Sequence, residues 1–566
     1  MKLRTIVKIA VISSVVLLCT GFAMFSFFRL SAAEGRKDFN LYTLVPGSAT
    51  VVLETDDLAG MIQGINELSC SKDRHFLYVS KLFSYLKLHL YTLLEDTPHG
   101  LSKQMNKVLL SFHEPDNDRN QVLYCSLGNG DYELVEKFIR KYCSSSFPSK
   151  LFDYKGEEIR IYPMPDDSFL ACYFTSDFLV VSYQKKLIEQ VIDARLSKKS
   201  LLTDASFAKV HEDKRARVAA TIYARMQPLS MGKATDGIRS CTQLGGWTEF
   251  DMKMNGDAIY FSGVSHDTDT CLTFMNVLRQ QQPVEDFPGD ILPASTFFFN
   301  KRSVTDMQAM LDFTARQEYT TSTYSDYIRD RDGELLAYLK ENAGGEIVTC
   351  LFHSTDTLSN PCAVMSIPLR DGQQAERVLQ GMLRTAPKEV DGPPKPRTTF
   401  CKTPLRAYTL YVLPRNTLFT QLTGITESAL YIYACFYEGR LVLAPDVESL
   451  TAYLRHLDKK EILDDTPGYE EAVVNLSPSY NFMMVADLGE TFSQPENYVR
   501  LIPAFFFRNQ EFFRHFILSA QFTCTDGIVY PNVVLIYKGE SDDVSCPHKR
   551  HKTPKDLEEL SGFYAF

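Results

Sequence analysis

The hydrophobic pattern of the chain alternates between short aliphatic runs and longer stretches with helical spacing. One such pair reads "DFLVVSYQKKLIEQVI" from Asp177, and a second reads "GRLVLAPDVESLTAYL" from Gly439. Each begins with apolar residues typical of a buried strand and continues with apolar positions three or four apart, which is typical of an amphipathic helix. Strand-like runs outnumber helical ones, and several form adjacent hairpin-like pairs. The pattern therefore predicts an α+β fold with largely antiparallel sheets.

These two stretches belong to a longer repeat. They are followed by "RLSKKSLLTDASF" and "HLDKKEILDDTPGY", which match in register and align Asp204 with Asp465. The segments around Pro46 and Pro293 also match, and each repeat closes on a hairpin with a Gly-containing turn, "FDMKMNGDAIYFSG" or "AQFTCTDGIVYPNV". Six or more collinear matches of the same element types argue against chance, so the chain is predicted to be internally duplicated.

The two predicted lobes lie in tandem, at residues 40–270 and 287–540. A partly polar segment joins them, and a short helix is expected there around Cys271–Arg279. In the first lobe, "FLYVSKLFSYLKLHLYTLL" predicts a longer amphipathic helix. Residues 541–566 have no apolar periodicity until their last few positions, which predicts a polar and mostly flexible C-terminal tail.

Residues 9–28, "IAVISSVVLLCTGFAMFSFF", contain no charged side chain. A helix of that length spans roughly 30 Å, the thickness of a bilayer core, and basic residues precede it. This predicts a short cytoplasmic N-terminus at 1–8, one transmembrane signal anchor at 9–28, and a body outside the cytoplasm. A signal peptide cleaved after "SAA" (31–33) is the second interpretation. The long uncharged run and the intervening Arg29 favour the anchor.

Composition excludes one class of partner and leaves others open. The chain has a formal net charge of −10 and 13 cysteines in 566 residues. Phosphate binding needs a concentrated basic footprint, so no nucleic acid is expected as a partner. The cysteines form no CxxC pair, and several lie in apolar runs such as "VLYCSL", where a buried thiol acts as a small hydrophobe. Their spacing does not decide their disulfide state.

Three polar clusters contain metal-ligating residue types. None has the full spacing of a known site, so a polar linker, a hairpin loop and a solvated tail are the favoured interpretations, and neither a metal nor a cofactor is predicted. The clusters are His266, Asp267 and Asp269 in "SHDTDT"; Asp116, Asp118 and Asn120 in "EPDNDRN"; and Cys546, His548 and His551 in "CPHKRHK".

Two histidines and two lysine pairs occur at matching places in the repeats. His113 and His353 each follow a Phe at the end of a strand, but no nucleophile or partner acid can be assigned to them, so no catalytic residue is predicted. The pairs 198–199 and 459–460 are both Lys-Lys and fall where a helix should end, which suits the helix dipole. An aspartate then follows as the expected cap of the next short helix. The residues that the two repeats share are therefore expected to have structural roles.

An N-terminal anchor, then "LVPGSATVVLETDDLAGMI", then "LVVSYQKKLIEQVIDARLSKKSLLTDASFAKV" resembles bacterial proteins grouped as domain of unknown function 3352. The resemblance could extend over residues 40–540, and the strand–helix–"L..D..F" unit is its most specific part. It implies a bacterial envelope protein, here a single-pass protein of the inner membrane with most of the chain in the periplasm. It carries over no catalytic residue.

These features favour a non-catalytic, membrane-anchored protein that binds another protein or a component of the envelope. No GxSxG, HExxH, Walker A or Rossmann motif is present. Absence of a motif does not exclude an extracytoplasmic enzyme, such as a hydrolase with a site built from His113 and Asp116, because active sites are defined by geometry. A third hypothesis is a lipid- or hydrophobe-binding protein with a pocket between the lobes, suggested by the aromatic run 502–516.

Overall fold

The computed structural model describes the greater part of the predicted lobes. The described residues are 39–73, 106–114, 119–128, 131–139, 149–164, 168–211, 218–226, 245–265, 273–310, 326–354, 361–385, 398–402, 406–413, 419, 423, 432–493, 502, 506–507 and 509–539. Within these ranges no helix combines the length and the apolar character needed to cross a membrane. The predicted segments 1–8, 9–28 and 541–566 lie outside them, as does the helix predicted from "FLYVSKLFSYLKLHLYTLL".

Strands dominate the described part of the chain. In the first half they are β1 (Ala49–Thr55), β2 (Val108–His113), β3 (Gln121–Ser126), β4 (Lys150–Tyr154), β5 (Glu157–Pro163), β6 (Phe169–Phe174), β7 (Phe178–Ser182), β8 (Ala220–Arg225), β9 (Trp247–Asn255) and β10 (Ala258–Ser265). In the second half they are β11 (Val284–Glu285), β12 (Thr296–Ser303), β13 (Glu346–Phe352), β14 (Cys362–Pro368), β15 (Thr398–Lys402), β16 (Ala407–Leu413), β17 (Ile432–Tyr437), β18 (Arg440–Ala444), β19 (Ser479–Tyr480), β20 (Phe482–Asp487), β21 (Phe516–Thr525) and β22 (Ile528–Tyr537).

The helices are shorter and lie between the strands in sequence. In the first half they are α1 (Leu58–Glu67), α2 (Asp131–Phe138), α3 (Lys185–Ser197) and α4 (Ala205–His211). The linking segment contains α5 (Phe274–Leu278), within the range where a short helix was expected. In the second half they are α6 (Asp326–Asn342), α7 (Gly372–Thr385), α8 (Val447–Asp458), α9 (Pro467–Val473), α10 (Leu488–Phe492) and α11 (Gln510–Phe513).

Twenty of the described strands form one continuous sheet in which every pairing is antiparallel, which confirms the predicted α+β class. Strands β11 and β19 form a separate small pair. The order across the large sheet is β4-β5-β6-β7-β3-β2-β1-β8-β9-β10-β22-β21-β20-β12-β13-β14-β18-β17-β16-β15. Counted from the β4 edge towards the middle, the strands of the first half follow the same order as those of the second half counted from the β15 edge. The two series of strands meet where β10 pairs with β22.

Helices cover both faces of the sheet because adjacent strand residues point to opposite sides. In the first half, α1 and α2 cover one face, where Met61 and Val135 are buried in a cluster against which Leu53 of β1 packs. Helices α3 and α4 cover the other face, where Ile188 and Phe207 are buried in a cluster that contains Val52 of β1. The second half has the same layers. There, α6 and α7 cover one face together with α5, α10 and α11, and α8 and α9 cover the other.

The described apolar residues of the aromatic run 502–516 belong to this core or pack against it. Phe512 and Phe513 of α11 are buried and pack at steep ring angles against Phe516 at the start of β21, with ring centroids 5.0 and 5.9 Å from that ring. Phe506 contacts Phe513 at 4.8 Å. The described aromatic residues of the run that suggested a hydrophobe-binding pocket between the lobes therefore pack against the sheet of the second half.

Local irregularities recur at matching places in the two series and fix their register. The first strand of each series has an irregularity in its pairing, between Ala49 and Val51 in β1 and between Thr296 and Phe298 in β12. Just before these strands, an isolated bridge joins Pro46 to Ser200 and another joins Pro293 to Ile462. The two prolines therefore hold equivalent pairing positions.

The same bridges correct the alignment of the lysine–aspartate motif by one residue. Asp204 lies four residues after Ser200, and the residue four after Ile462 is Thr466, not Asp465. Lys198 and Lys460 are the equivalent lysines, because both adopt a left-handed backbone with φ of 55° and 58°. The shift arises because the first residue after each helix differs in conformation. Lys198 after α3 is left-handed, whereas Lys459 after α8 keeps a helical backbone, and the next residue, Lys460, is the left-handed one.

Candidate functional site

An open cleft lies on the second half, where the end of β12, the C-terminal turn of α6 and the N-terminal turn of α7 meet. It consists of two adjoining depressions of about 350 and 640 Å³, and Lys340 and Arg370 border both. Volumes in this range are ordinary for ligand-binding pockets. The first depression is lined by Val304, Thr305, Asp306, Met307, Gln308, Leu339, Lys340, Ala343 and Arg370, and the second by Ala337, Lys340, Glu341, Asn342, Arg370, Gln374 and Val378.

A tight turn after α6 brings these elements together. Ala343 forms a bridge with Leu369, and the Gly344 amide donates to the Pro368 carbonyl at 2.7 Å. A Cβ on Gly344 would lie 3.1 Å from that carbonyl oxygen, and Gly345 has φ of +96°, a conformation that favours glycine. Two glycines therefore let the chain return at once into β13, which keeps the end of α6 beside the start of α7.

The rim of the cleft is polar and carries both signs of charge. Lys340 Nζ donates to Oε1 of Gln308 at 3.2 Å, and Arg370 Nη1 donates to the backbone oxygen of Glu341 at 3.4 Å. Within the described part of the chain neither cation forms an ion pair with a carboxylate. Asp306 and Glu341 also border the cleft, and one carboxylate oxygen of Asp306 accepts the amide of Ala309 at 3.1 Å.

The floor of the first depression belongs to the hydrophobic core. Val304, Met307, Leu339 and Ala343 are all buried members of the cluster beneath α6 and α7. This cluster is rich in methionine, whose flexible thioether side chain adapts to irregular neighbours. Its fully buried methionines are Met275, Met307, Met310, Met365 and Met484. The cleft thus combines a polar rim with a soft apolar floor.

A buried cation lies next to this floor. Arg302 is 6% exposed and donates from Nε and Nη2 to Oδ1 of Asn300, at 3.3 and 2.9 Å. It has no carboxylate partner among the described residues, and burial lowers the pKa of its guanidinium to about 10. Nδ2 of Asn300 and Oγ1 of Thr349, on the neighbouring strand, make no hydrogen bond within the described structure. This group of polar side chains lies inside an otherwise apolar cluster.

The adjacent residue on β12 shows how a buried cation is ordinarily held. Lys301 points to the opposite face, and its Nζ lies 2.8 Å from Oε2 of Glu346. Nζ also donates to the backbone oxygens of Glu285 and Asp286, and Arg440 contacts the second carboxylate oxygen of Glu346 at 3.2 Å. Lys301 therefore has a full set of acceptors that includes a carboxylate, whereas Arg302 has one amide oxygen.

Sequence reasoning did not find Arg302. The run "STFFFNKRSV" was interpreted only as a strand at the start of the second lobe. Strict alternation along it places Asn300 and Arg302 on the same face as the buried Phe298, and that is the one signal in the sequence that a charged side chain faces the core.

His113 lies in a chain of hydrogen bonds within the first half. Its Nδ1 is 3.2 Å from the hydroxyl of the exposed Ser48, and its Nε2 is 2.8 Å from the hydroxyl of Ser111, which in turn contacts the Tyr124 hydroxyl at 3.1 Å. Burial lowers the pKa of His113 to about 4, against an opposing hydrogen bond with Ser48. The imidazole is therefore neutral at physiological pH and a weak base, and Ser111 is fully buried.

His353 does not occupy the place of His113. Residue 113 pairs with Ala49 and residue 352 pairs with Thr296 in the matching strands, so the equivalent of His113 is Phe352. His353 instead lies on the surface, with its Nε2 3.1 Å from Oε2 of Glu490 and its ring stacked on Phe297 at 4.8 Å. The expected equivalence of the two histidines is wrong by one position.

The described residues contain no group of three His, Cys, Asp or Glu side chains arranged to hold a metal. Of the three polar clusters considered from the sequence, 266–269 and 546–551 lie wholly outside the described ranges, and so do Asp116 and Asp118. The thiols that can be seen are free, and most are buried, as expected for small hydrophobes. Burial raises the pKa of Cys125 to about 12, so its thiol is not reactive at neutral pH.

Comparison with known proteins gives a family of unknown function. Residues 105–241 match the family described as "Protein of unknown function (DUF3352)", which confirms the predicted resemblance over that range. No curated protein matches the chain.

Two solved structures align at low similarity. "Structure of crystal form III of TP0453" shares 10% identity, covers 44% of this chain and 91% of its own, and has a TM-score of 0.24. "Structure of crystal form I of TP0453" shares 11% identity, covers 42% and 82%, and has a TM-score of 0.22. Scores of this size carry no argument about function.

Proposed function

We propose that this chain is a non-catalytic binding protein of the bacterial envelope, held at the inner membrane by residues 9–28, with its body in the periplasm. Its two related halves, which we take to be copies of one unit, form a single platform through the pairing of β10 with β22. The cleft on the second half is the surface that binds a partner protein or an envelope component.

The composition of the cleft carries this proposal. Its described lining residues include no Ser, Cys or His, the side chains that most often act as nucleophile or base. The hydroxyl among them belongs to Thr305, and its oxygen is already engaged, accepting the Gln282 amide at 2.8 Å and lying 3.4 Å from Oε1 of Gln281. What the cleft offers instead are amides, two cations, the carboxylates of Asp306 and Glu341, and an apolar floor, which together can bind a partner.

The alternative enzyme hypothesis finds less support. It placed a site at His113 and Asp116, but burial lowers the pKa of His113 to about 4, so its imidazole is a weak base. Of the two serines on this ring, Ser111 is fully buried, and the exposed Ser48 also donates to Oε1 of Gln190 at 3.3 Å. A dyad of Ser48 and His113 would need an imidazole that accepts a proton near neutral pH. The hydrogen-bond chain around His113 is better explained as satisfaction of buried polar groups.

Site-specific photo-crosslinking in cells tests the binding surface. A benzoylphenylalanine at position 374 on α7 borders the cleft, whereas one at the exposed position 186 on α3 lies in the other half of the sheet. We expect a discrete, stoichiometric adduct from position 374 and none from position 186. Adducts of equal yield at both positions, or none at any residue lining the cleft, would reject the cleft as a surface that binds a partner protein.

Reporter fusions test the placement at the membrane. Alkaline phosphatase fused after residue 539 is expected to be active and a fluorescent protein that folds only in the cytoplasm is expected to be dark, because the body follows an N-in anchor. An inactive phosphatase together with a bright cytoplasmic fluorophore would overturn the proposed orientation.

A further inference from the structure

Arg302 is a buried charge without a counter-charge in the described structure. Transfer of a guanidinium out of water is costly unless an anion and hydrogen-bond acceptors replace its hydration. Here one amide oxygen of Asn300 receives both of its hydrogen bonds. A protein normally balances such a group, as it does for the neighbouring Lys301 with Glu346.

The fold itself does not require an arginine at this position. The equivalent residue in the first half is Thr55, which lies six residues after Ala49 as Arg302 lies six after Thr296. Thr55 is buried, and its hydroxyl donates to the Ala219 carbonyl at 2.9 Å and accepts the Asp57 amide at 3.1 Å. A small, fully satisfied side chain therefore completes the same strand, and the cation is specific to the second half.

The surroundings of Arg302 are apolar and adaptable. It shares its face of β12 with Phe298, and it lies opposite Ile347 and Phe482 on the two neighbouring strands. Val304 follows the last residue of β12 and belongs to the same buried cluster. Val304 forms part of the cleft floor, and residues two apart on a strand are about 7 Å apart. The cluster on this face of the sheet is rich in methionine, and Met307 lines the cleft. Methionine side chains can repack around an inserted hydrocarbon chain at lower cost than branched side chains can.

We propose that Arg302 binds the carboxylate of a single-chain amphiphile, whose hydrocarbon chain lies among Val304, Met307 and Leu339 and leaves through the cleft. The carboxylate supplies the missing counter-charge. The hydrocarbon chain replaces apolar contacts between core side chains by apolar contacts of its own. At the mouth, Lys340 and Arg370 are offset by Asp306 and Glu341, so the specificity for an anion resides in the buried guanidinium. The inference rests on the proposed binding function and names the class of ligand.

A photoreactive fatty acid tests the inference on the full chain in isolated membranes. Hexadecanoic acid that carries a diazirine and an alkyne is expected to label the peptides containing 302–310 or 335–343. Unlabelled hexadecanoic acid should compete, whereas hexadecanol, which has the same chain without the charge, should not. Equal competition by the two would overturn the assignment of a carboxylate site.

Arg302→Met separates the ligand's role from folding. Loss of a charged hydrogen-bonded pair should reduce labelling by about tenfold or more. Without ligand, the variant should unfold at the same temperature as the parent or higher, because an unpaired charge is replaced by an apolar side chain of similar length. Arg377→Met, on the exposed side of α7, is the matched control and should change neither quantity.

Two outcomes would reject the amphiphile. One is labelling of Arg302→Met by the photoreactive fatty acid to the same extent as the parent protein. The other is a steep fall in the unfolding temperature of Arg302→Met, together with an equal fall in the double variant Asp312→Asn, Glu318→Gln. That result would mean that the counter-charge comes from the protein's own segment 311–325. If position 374 still captures a partner in either case, the binding function stands and the ligand class fails. Labelling without any protein adduct would support the amphiphile and reject a protein partner.

Discussion

Ser262 and Asn532 lie directly opposite each other where the two halves of the sheet join, and they hold the same position in their own hairpins. One hairpin closes with Asn255 opposite Ala258, and the other with Thr525 opposite Ile528. Ser262 and Asn532 are each seven residues beyond the residue that opens the turn. An approximate twofold axis therefore passes between them, and the halves meet through one self-complementary strand, as the subunits of an isologous dimer do.

Cysteines at this junction should crosslink. Residues directly opposite in an antiparallel pair have Cβ atoms about 4.5–5.5 Å apart, within small adjustments of disulfide geometry. Ser262→Cys with Asn532→Cys is expected to form an intramolecular disulfide under mild oxidation, detected by mass spectrometry of the digested protein. Ser265→Cys with Asn532→Cys is the control, because Ser265 pairs with Val529 and lies about 10 Å further along. A crosslink of equal yield in the control would refute the register.

Asp204→Ala should destabilise the protein more than the matched change in the second half. Oδ1 of Asp204 accepts the amides of Ser206 and Phe207 at the start of α4, and Oδ2 accepts from Arg225 at 2.7 Å. We expect a loss of about 2 kcal/mol in the free energy of unfolding. Thr466 makes no side-chain cap bond to α9, so Thr466→Ala should cost less than about 1 kcal/mol. Urea unfolding measures both, and equal losses would contradict the capping role assigned to Asp204.

The same carboxylate predicts a dependence on pH. Burial alone would raise the pKa of Asp204, but its hydrogen bonds with Ser206, Phe207 and Trp247 outweigh burial and hold that pKa below its ordinary value. The stability that Asp204 contributes is therefore present above the pKa of an unfolded aspartate and is lost as the pH falls through its folded pKa. The difference in unfolding free energy between the parent and Asp204→Ala should shrink in strong acid.

Glu346→Gln tests the ion pair beneath α8 and α9. The change leaves the buried Lys301 without its carboxylate partner, which should cost about 3 kcal/mol in the free energy of unfolding. Glu471→Gln, on the exposed surface of α9, removes the same charge and should stay within about 0.5 kcal/mol of the parent. Calorimetry or urea unfolding decides between them, and a Glu346 variant as stable as the control would mean that the pair contributes nothing.

His113 should make the protein less stable in mild acid. The unfolded chain takes up a proton near pH 6.5, whereas burial holds the folded pKa of His113 at about 4. Stability is therefore fully present above pH 6.5 and falls as the pH drops towards 4, by roughly 3 kcal/mol at about 1.4 kcal/mol per unit of pKa. His113→Gln should remove this part of the decline, seen as a smaller loss between pH 7 and 4.5.

The order of elements was predictable because each element carries its own period. Strands such as β7 and helices such as α3 could be recognised from spacing alone, and their recurrence at β18 and α8 aligned the two halves. The alignment slipped by one residue at Lys198 because identical lysines were matched, whereas the fold matches left-handed backbones. Backbone conformation at a helix end depends on where the last hydrogen bond forms, and two adjacent lysines do not encode that.

The joining of the sheets and the position of Arg302 were not predictable. Pairing of β10 with β22 connects residues far apart in sequence, and a hairpin strand with one free edge gives no sign of its partner. A cation in a strand is normally a surface residue, so alternation with Phe298 alone was a weak signal, and the burial of Arg302 became evident once helices were seen to cover its face of the sheet.

The central position of β22 has a consequence for synthesis of the chain. β10 is complete at Ser265, but its partner strand begins only at Ile528. At ordinary rates of translation this interval lasts on the order of tens of seconds. During that time the first half presents an open strand edge with Ile259 and Phe261, which lack the neighbours supplied by Leu535 and Val533. The nascent chain therefore passes through a stage with an open strand edge, which favours aggregation, and a ribosome that stalls before Ile528 prolongs that stage.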